Sequence, residues 1–432
     1  MTQLIELRQL SKSFQGSDGQ QRLILQNIDF NLADGEIVAL LGKSGCGKST
    51  LLRIIAGLIA ADQGQANYRA QTIYGPVKAI SMVFQSFALF PWLTVQQNVE
   101  LGLEAQAVPA KERRQRADAV LELIGLAGFG NALPRELSGG MKQRVGIARA
   151  LVMEPEVLLM DEAFSALDVL TGETLRNDML ELWQQKRIKT RGMVVVSHNI
   201  EEAVMMADRI IILDANPGRI AHDIRVDFAR PRQADDAEVR ALIDEVYGLM
   251  TARPASADKL SANAGVSHGY HLPDTDIDHL ESILDLLASS SFAGKADLPQ
   301  FAEAAELSDD DLFPVYEALS LLGLAHIEHA DLSLTELGRR YVTADQSGKQ
   351  ELFGQQVLLH IPLAAYIRRH LEAAAGNGMP EKQVLQHLAE FMNESQAEQV
   401  LNTVIAWARY GEVFSYDYHT GILHLPQPHQ NS

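Results

Sequence analysis

Lys48 and Ser49 stand at the end of Gly42-Lys43-Ser44-Gly45-Cys46-Gly47 and are followed by Thr50. A β-branched apolar run at 37–41 precedes this stretch, and Leu51-Leu52-Arg53-Ile54-Ile55 follows it. The order is strand, glycine-rich loop and helix, and the pattern G-x-x-x-x-G-K-[ST] in that setting is a phosphate-binding loop. Its glycines let successive backbone N–H groups turn towards phosphate oxygens, and the helix N-terminus adds unpaired donors and partial positive charge. Lys48 can reach the β- and γ-phosphates, and Ser49 can give a hydroxyl to Mg²⁺. The loop implies a nucleotide without saying what the nucleotide is used for.

The elements that position this loop alternate between strand and helix patterns. Strands are expected at 37–41, 79–84, 157–160, 193–197 and 209–213. Helices are expected at 48–58, 111–124, 139–153, 172–186, 200–206 and 237–249. This alternation implies an α/β layer with a largely parallel central sheet. The chain has 432 residues and 47% hydrophobic content, which suits a globular protein of two or three domains. No apolar stretch approaches the roughly 20 residues that span a bilayer. Residues 1–6 lack the basic-then-apolar layout of a signal peptide, and the single cysteine, Cys46, excludes an intramolecular disulfide framework. A cytoplasmic location is expected. The net charge of −19 disfavours nucleic acid as a partner.

From residue 275 onward there are 8 Lys and Arg against 23 Asp and Glu, a net of −15; the preceding residues carry 29 against 33, a net of −4. The break suggests two units of different purpose. We read residues 1–250 as the nucleotide-binding domain, 251–275 as a linker rich in Ala, Ser, Gly and Pro, and 276–425 as an acidic second domain. In the second domain Leu280, Ile283, Leu284 and Leu287 share a helical face, as do Leu312, Val315, Tyr316, Leu319 and Leu322. A hairpin through 324–327 and 332–334 and a helix at 337–342 follow. Helices followed by a small hairpin read as a winged-helix arrangement. A similar order recurs with the stripe Val400, Val404, Trp407, Ala408 and a hairpin at 414–416 and 422–424. The histidines at 268, 271, 279, 419, 424 and 429 lack a ligand spacing and are not read as metal sites.

Further features follow the phosphate loop in a fixed order. Gln85 ends the strand Ser81-Met82-Val83-Phe84. Leu137-Ser138-Gly139-Gly140-Met141-Lys142-Gln143-Arg144 opens a helix. Val157-Leu158-Leu159-Met160 leads into Asp161-Glu162, then Ser165-Ala166-Leu167-Asp168; His198 ends a strand, and Phe14 lies upstream. This set resembles the ATP-binding subunit of the ABC transporter family from residue 1 to about 232. The resemblance implies an α/β fold: a P-loop NTPase of ABC type with a helical subdomain, followed by a mainly α, winged-helix-like C-terminal domain.

It also implies ATP and Mg²⁺ as ligands and an ATPase activity. Gly42, Lys43, Ser44, Gly45, Cys46, Gly47, Lys48, Ser49 and Thr50 would hold the phosphates. Asp161, with Ser49 and Gln85, would serve the metal. Glu162 resembles the catalytic glutamate that polarises the attacking water. His198 resembles the switch histidine that contacts the γ-phosphate, and Gln85 would sense that phosphate and link to the membrane partner. Ser138, Gly139 and Gly140 would serve an ATP bound by a second copy, so that two ATPs lie in a head-to-tail dimer. Asp168 would help the two copies exchange information. Met141 stands where the family commonly has glutamine. Phe14 could stack on adenine or belong to the core of an N-terminal strand.

The segment Phe87-Ala88-Leu89-Phe90-Pro91-Trp92-Leu93 could form a docking groove or be buried in the helical subdomain. Residues 89–95 with Asn98, together with the Leu-Ser-Gly-Gly-Met stretch, resemble the nitrate, sulfonate and taurine importer branch. The expected partners are a second ATPase subunit, transmembrane permease subunits and an external substrate-binding protein, with the chain peripheral on the cytoplasmic face of the membrane. The second domain resembles the accessory domain found on some ATPases of this branch. Two rival readings are a soluble ABC ATPase and a DNA-linked regulator that uses the winged-helix-like region. The first lacks a second ATPase unit or a long coiled-coil insertion. The second is opposed by the charge of −15.

Overall fold

A computed structural model describes residues 2–15, 21–165, 167–215, 217–233, 236–251, 270, 272–273, 275–305, 307, 309–328, 331–373, 378–392 and 394–426. Residues 252–269 of the expected linker, with His268, His271, His429 and Ala166, lie outside the described residues. The chain divides into two compact units, the first ending at Ile243 and the second starting at Asp244.

In the first unit, β1 (Gln3–Gln15) and β2 (Gln21–Ala33) lead to β3 (Glu36–Gly42) and α1 (Lys48–Ile55). β4 (Gln63–Tyr68), β5 (Gln71–Thr72) and β6 (Ile80–Val83) follow. Three helices come next: α2 (Val95–Ala105), α3 (Ala110–Leu123) and α4 (Gly139–Leu151). The chain then runs through β7 (Val157–Asp161), α5 (Val169–Gln184), β8 (Gly192–Val196), α6 (Ile200–Met206), β9 (Arg209–Asp214) and β10 (Arg219–Arg225), and the division between the units falls within the next helix, α7 (Ala237–Thr251).

The central sheet has six strands in the order β10-β9-β3-β8-β7-β6, parallel except for β10. Every residue of β7 and β8 is buried, as are all but the first of β3. A parallel strand covered on both faces needs such an unbroken apolar run. A second, antiparallel sheet in the order β2-β1-β4-β5 packs its inner side chains, Leu4, Leu7, Leu25 and Ile28 among them, into one core with α1 and the central strands. Sequence reading did not place this sheet. Bulges between Leu7 and Leu10 and beyond Lys12 interrupt the alternation of β1 that would have revealed it. The three helices between β6 and β7 form the helical subdomain. α2 opens on a capping box, with Thr94 Oγ1 accepting from Gln97 N–H and Gln97 Oε1 accepting from Thr94 N–H.

The second unit holds α8 (Ile277–Ala288), β11 (Lys295–Asp297), α9 (Leu298–Ala305), α10 (Asp309–Leu321), β12 (Ala325–Glu328) and β13 (Asp331–Leu334). After α11 (Glu336–Thr343) and α12 (Gln346–His360) come α13 (Pro362–Ala373), β14 (Met379–Pro380), α14 (Glu381–Leu388), α15 (Glu394–Tyr410), β15 (Ser415–Asp417) and β16 (Ile422–His424). The order helix, strand, helix, helix, strand, strand thus occurs twice. In each small sheet the last strand lies between the other two, as β11-β13-β12 and β14-β16-β15. The core carries Trp407, Phe353 and Tyr341, each at most 1% exposed. Phe353 meets Trp407 and Tyr410 edge-on at 6.2 and 5.1 Å between centroids. Glu281 on α8 accepts hydrogen bonds from Tyr341 and Tyr410 at 3.1 and 2.5 Å, tying α8, α11 and α15 together.

Candidate nucleotide site

β3 delivers Gly42 into the loop, and Gly47 turns the chain into α1. Gly47 has φ +102°, and a Cβ there would lie 2.6 Å from Leu25 Cδ2. A Cβ at Gly42 would lie 2.6 Å from Leu213 O and 2.7 Å from Cys46 Sγ. Side chains therefore cannot replace these hydrogens without moving the loop. Among the described residues no side chain caps the start of α1, which leaves its first N–H groups available to an anion. Lys48 is 6% exposed, and its ammonium donates to Gly42 O at 2.5 Å and Lys43 O at 3.3 Å. Cys46 has its side chain in the core beneath the loop, 1% exposed. Its N–H donates to Lys43 O at 3.2 Å.

Asp161 is the last residue of β7, in register with Val196 on β8, and is 5% exposed. Its Oδ1 accepts from the Ser49 hydroxyl at 2.9 Å. Burial pushes its carboxyl pKa up, opposed by that hydrogen bond and by the charges of Arg53 and Lys48. Glu162 follows with φ +48°, a left-handed conformation unfavourable for a non-glycine residue. Its N–H donates to Val196 O at 3.1 Å, which holds the strained turn against the neighbouring strand. The turn aims the carboxylate at two groups. Gln85 Nε2 donates to Glu162 Oε2 at 2.6 Å, and His198 Nδ1 lies 3.9 Å from the same oxygen. Lys48, Ser49, Gln85, Asp161, Glu162 and His198 thus meet through these contacts at the ends of β3, β6, β7 and β8, the edge where open parallel sheets bind ligands.

Ser138, Gly139 and Gly140 are held differently. Ser138 caps α4, its Oγ accepting from Met141 N–H at 3.3 Å. A Cβ on Gly140 would lie 2.4 Å from Thr171 Cγ2, and one on Gly139 3.9 Å from Leu167 Cδ2. Asp168 caps α5 by accepting from Thr171 N–H at 3.0 Å, and that bond lowers its carboxyl pKa. The second cluster therefore joins the starts of α4 and α5. Phe14 is 43% exposed near the end of β1, with Lys12 Nζ 5.2 Å from its ring centre, so its ring is at the surface and not in the core.

The segment at 87–93, which the sequence allows to be either a docking groove or buried, has an exposed tip. Trp92 is 71% and Phe90 42% exposed, and the rings meet edge-on at 5.4 Å. Asn98, fully buried, donates to Phe90, Leu93 and Thr94 carbonyls at 3.1, 3.1 and 3.0 Å and accepts from Phe90 N–H at 2.8 Å. Arg149 on α4 donates to Ala88 O at 2.6 Å and Phe87 O at 3.2 Å. The bracing role of Arg149 had no signal in the sequence. Among the described residues, no helix is long and apolar enough to cross a membrane.

The fold and the grouped residues define a P-loop nucleoside triphosphatase. Residues 25–165 match the family model described as ABC transporter, and residues 299–417 match that of the C-terminal AAA-associated domain. The chain is 44% identical to the nitrate import ATP-binding protein of Synechocystis over 224 residues, 52% of this chain and 83% of that one. It is 41% identical to the taurine import ATP-binding protein of Pseudomonas aeruginosa over 262 residues, 60% of this chain and 97% of that one. The aliphatic sulfonates import ATP-binding protein of Bacillus subtilis is 41% identical over 53% of this chain and 88% of its own length. The chain belongs to the ABC transporter family and is an ATPase of that family, joined to a mainly helical C-terminal part.

Proposed function

We propose that this chain is the ATP-hydrolysing subunit of an importer for a small anion such as nitrate, a sulfonate or taurine. The convergence of Lys48, Ser49, Gln85, Asp161, Glu162 and His198 at one sheet edge carries the reading, and the names of its relatives supply the substrate class. In this reading the loop from Gly42 to Thr50 cradles the triphosphate of ATP. Lys48 leaves its own loop carbonyls for the β- and γ-phosphates, and Phe14 offers a face to adenine. Glu162 polarises the attacking water, while His198 and Gln85 fix the γ-phosphate end.

Ser49 Oγ and Asp161 Oδ1, 2.9 Å apart, are the hard oxygen donors that Mg²⁺ prefers. A cation there would also relieve the burial of the Asp161 carboxylate. When bound, Mg²⁺ would neutralise charge on the β- and γ-phosphates. Ser138, Gly139 and Gly140, beside Asp168, serve the ATP of a second copy across a head-to-tail dimer.

Phe90 and Trp92, exposed on a braced loop next to Gln85, dock to transmembrane permease subunits at the cytoplasmic face. An external binding protein delivers the substrate to them. Residues 276–425 form a regulatory domain after a linker at 251–275, and the twice-used helix and strand order supports two winged-helix-like halves. The test is reconstitution with the permease subunits in vesicles and measurement of ATP-dependent uptake. Accumulation of nitrate, taurine or an alkanesulfonate is expected. Failure with all three, despite active ATP hydrolysis, would overturn the substrate class.

A further inference from the structure

His198 sits between Ser197, just past β8, and Asn199, the residue that caps α6. Three hydrogen bonds close a ring around it. Asn199 N–H donates to Ser197 Oγ at 3.0 Å, the Ser197 hydroxyl donates to Glu202 Oε2, and Glu202 N–H donates to Asn199 Oδ1 at 2.7 Å. The ring is fixed to the sheet by Ser197 N–H, which donates to Leu40 O on β3 at 3.3 Å. Ser197 is 2% and Glu202 7% exposed.

The helix start is already capped by Asn199, so α6 does not need a carboxyl at 202 in order to begin. A carboxyl is also a costly filler here. Its Oε1 is buried without a hydrogen-bond partner among the described residues, and burial pushes its pKa up. The charges that act on it belong to Arg176 on α5, to His198 and to Glu162. An expensive group therefore sits where the ring, the helix behind Asp168 and the Glu162–His198 pair come together.

We propose that Glu202 is a positioning residue for ATP hydrolysis, which holds the His198 imidazole in register with Glu162 by fixing Ser197 and Asn199 on either side of it. The inference rests on the reading of Glu162 and His198 as the groups that act at the γ-phosphate. Glu202 itself touches no reacting atom, so its loss should slow the chemical step and spare nucleotide binding.

The experiment uses the full chain and compares Glu202→Ala, Glu202→Gln, Ser197→Ala and His198→Ala with the wild type, together with the double variant at 198 and 202. Hydrolysis is followed by phosphate release, and binding by the fluorescence of a labelled ATP. Glu202→Ala and Ser197→Ala should each lower kcat by about tenfold or more, with ATP affinity within about twofold of wild type. Glu202→Gln, whose amide oxygen can still accept from Ser197, should recover to within about threefold. In the His198→Ala background the second substitution should add less than about twofold, because the residue it positions is gone. Ser197→Ala keeps the test alive if Glu202→Ala does not fold. Normal kcat in Glu202→Ala, or losses that multiply with His198→Ala, would overturn the proposal. Parallel loss of affinity and rate would also overturn it. Normal hydrolysis by His198→Ala would instead overturn the underlying reading of the site.

Discussion

Arg232→Ala should destabilise the nucleotide-binding unit through the far end of α6. Arg232 is 6% exposed. Its Nη1 donates to Val204 O and, at 2.6 Å, to Ala207 O; its Nη2 donates to Phe228 O at 3.0 Å and Val226 O at 3.4 Å. Burial lowers its pKa to about 10, so it stays charged at neutral pH. The guanidinium thus ties the C-terminal carbonyls of α6, where a cation also suits the helix dipole, to the segment after β10. Alanine leaves the carbonyls of Val204 and Ala207 without this donor. Each buried orphan costs about 1–3 kcal/mol, and lost side-chain packing adds to that. Relief from burying a cation offsets part of the loss, which leaves a net of about 3 kcal/mol. For a unit of this size about 1 kcal/mol moves Tm by roughly 2–4 °C, so a fall of about 6–12 °C is expected. Differential scanning calorimetry of the full chain would measure it. Arg232→Lys, which keeps charge and up to three donors, should fall in between. A Tm for Arg232→Ala within about 1 °C of wild type would mean that these carbonyl contacts do not stabilise the unit.

Cys46, packed in the core, should react with iodoacetamide at least about 100-fold more slowly in the folded chain than in guanidinium, and similar rates would contradict its burial. Trp92→Ala should leave Tm within about 2 °C and intrinsic ATP hydrolysis intact, yet reduce the stimulation by permease subunits; unchanged stimulation would remove this ring from the docking surface. Burial, with hydrogen bonding to Glu281 also raising it, pushes the Tyr410 phenol up to about 12, so the folded state holds this proton more tightly than the unfolded chain does. The stability tied to it is full below the ordinary phenol range near 10 and is lost as pH rises through about 12. The difference at 295 nm between wild type and Tyr410→Phe should titrate near that higher value, and a midpoint near 10 would contradict the burial.

The central sheet was legible because β3, β7 and β8 are buried on both faces and therefore read as unbroken apolar runs. The phosphate loop was legible because its backbone geometry restricts the residue types at fixed spacing, as Gly47 illustrates. β1 and β2 were not, since bulges break the alternation that marks a half-buried strand. α2 was missed despite its Thr94–Gln97 capping box, because Phe87 to Leu93 just before it read as a loop. α5 begins at Val169, earlier than the expected 172, because Asp168 caps it, a local bond that hydrophobic spacing does not register. The ring around His198 was hidden for another reason. Ser197, Asn199 and Glu202 are unremarkable polar residues until the turn from β8 into α6 brings their side chains together.

In the proposed function, Glu162 carries hydrolysis in a nucleotide site completed by a second copy. Glu162→Gln keeps the size of the side chain and an acceptor for Gln85 while removing the charge that would polarise water. The direct measurement is phosphate release by this variant, with gel filtration in MgATP on the same sample. Hydrolysis should fall by about 10²–10⁴-fold with ATP still bound, in a species of twice the mass of the chain. Near-normal phosphate release, or loss of hydrolysis with ATP-loaded chains that remain single, would contradict it.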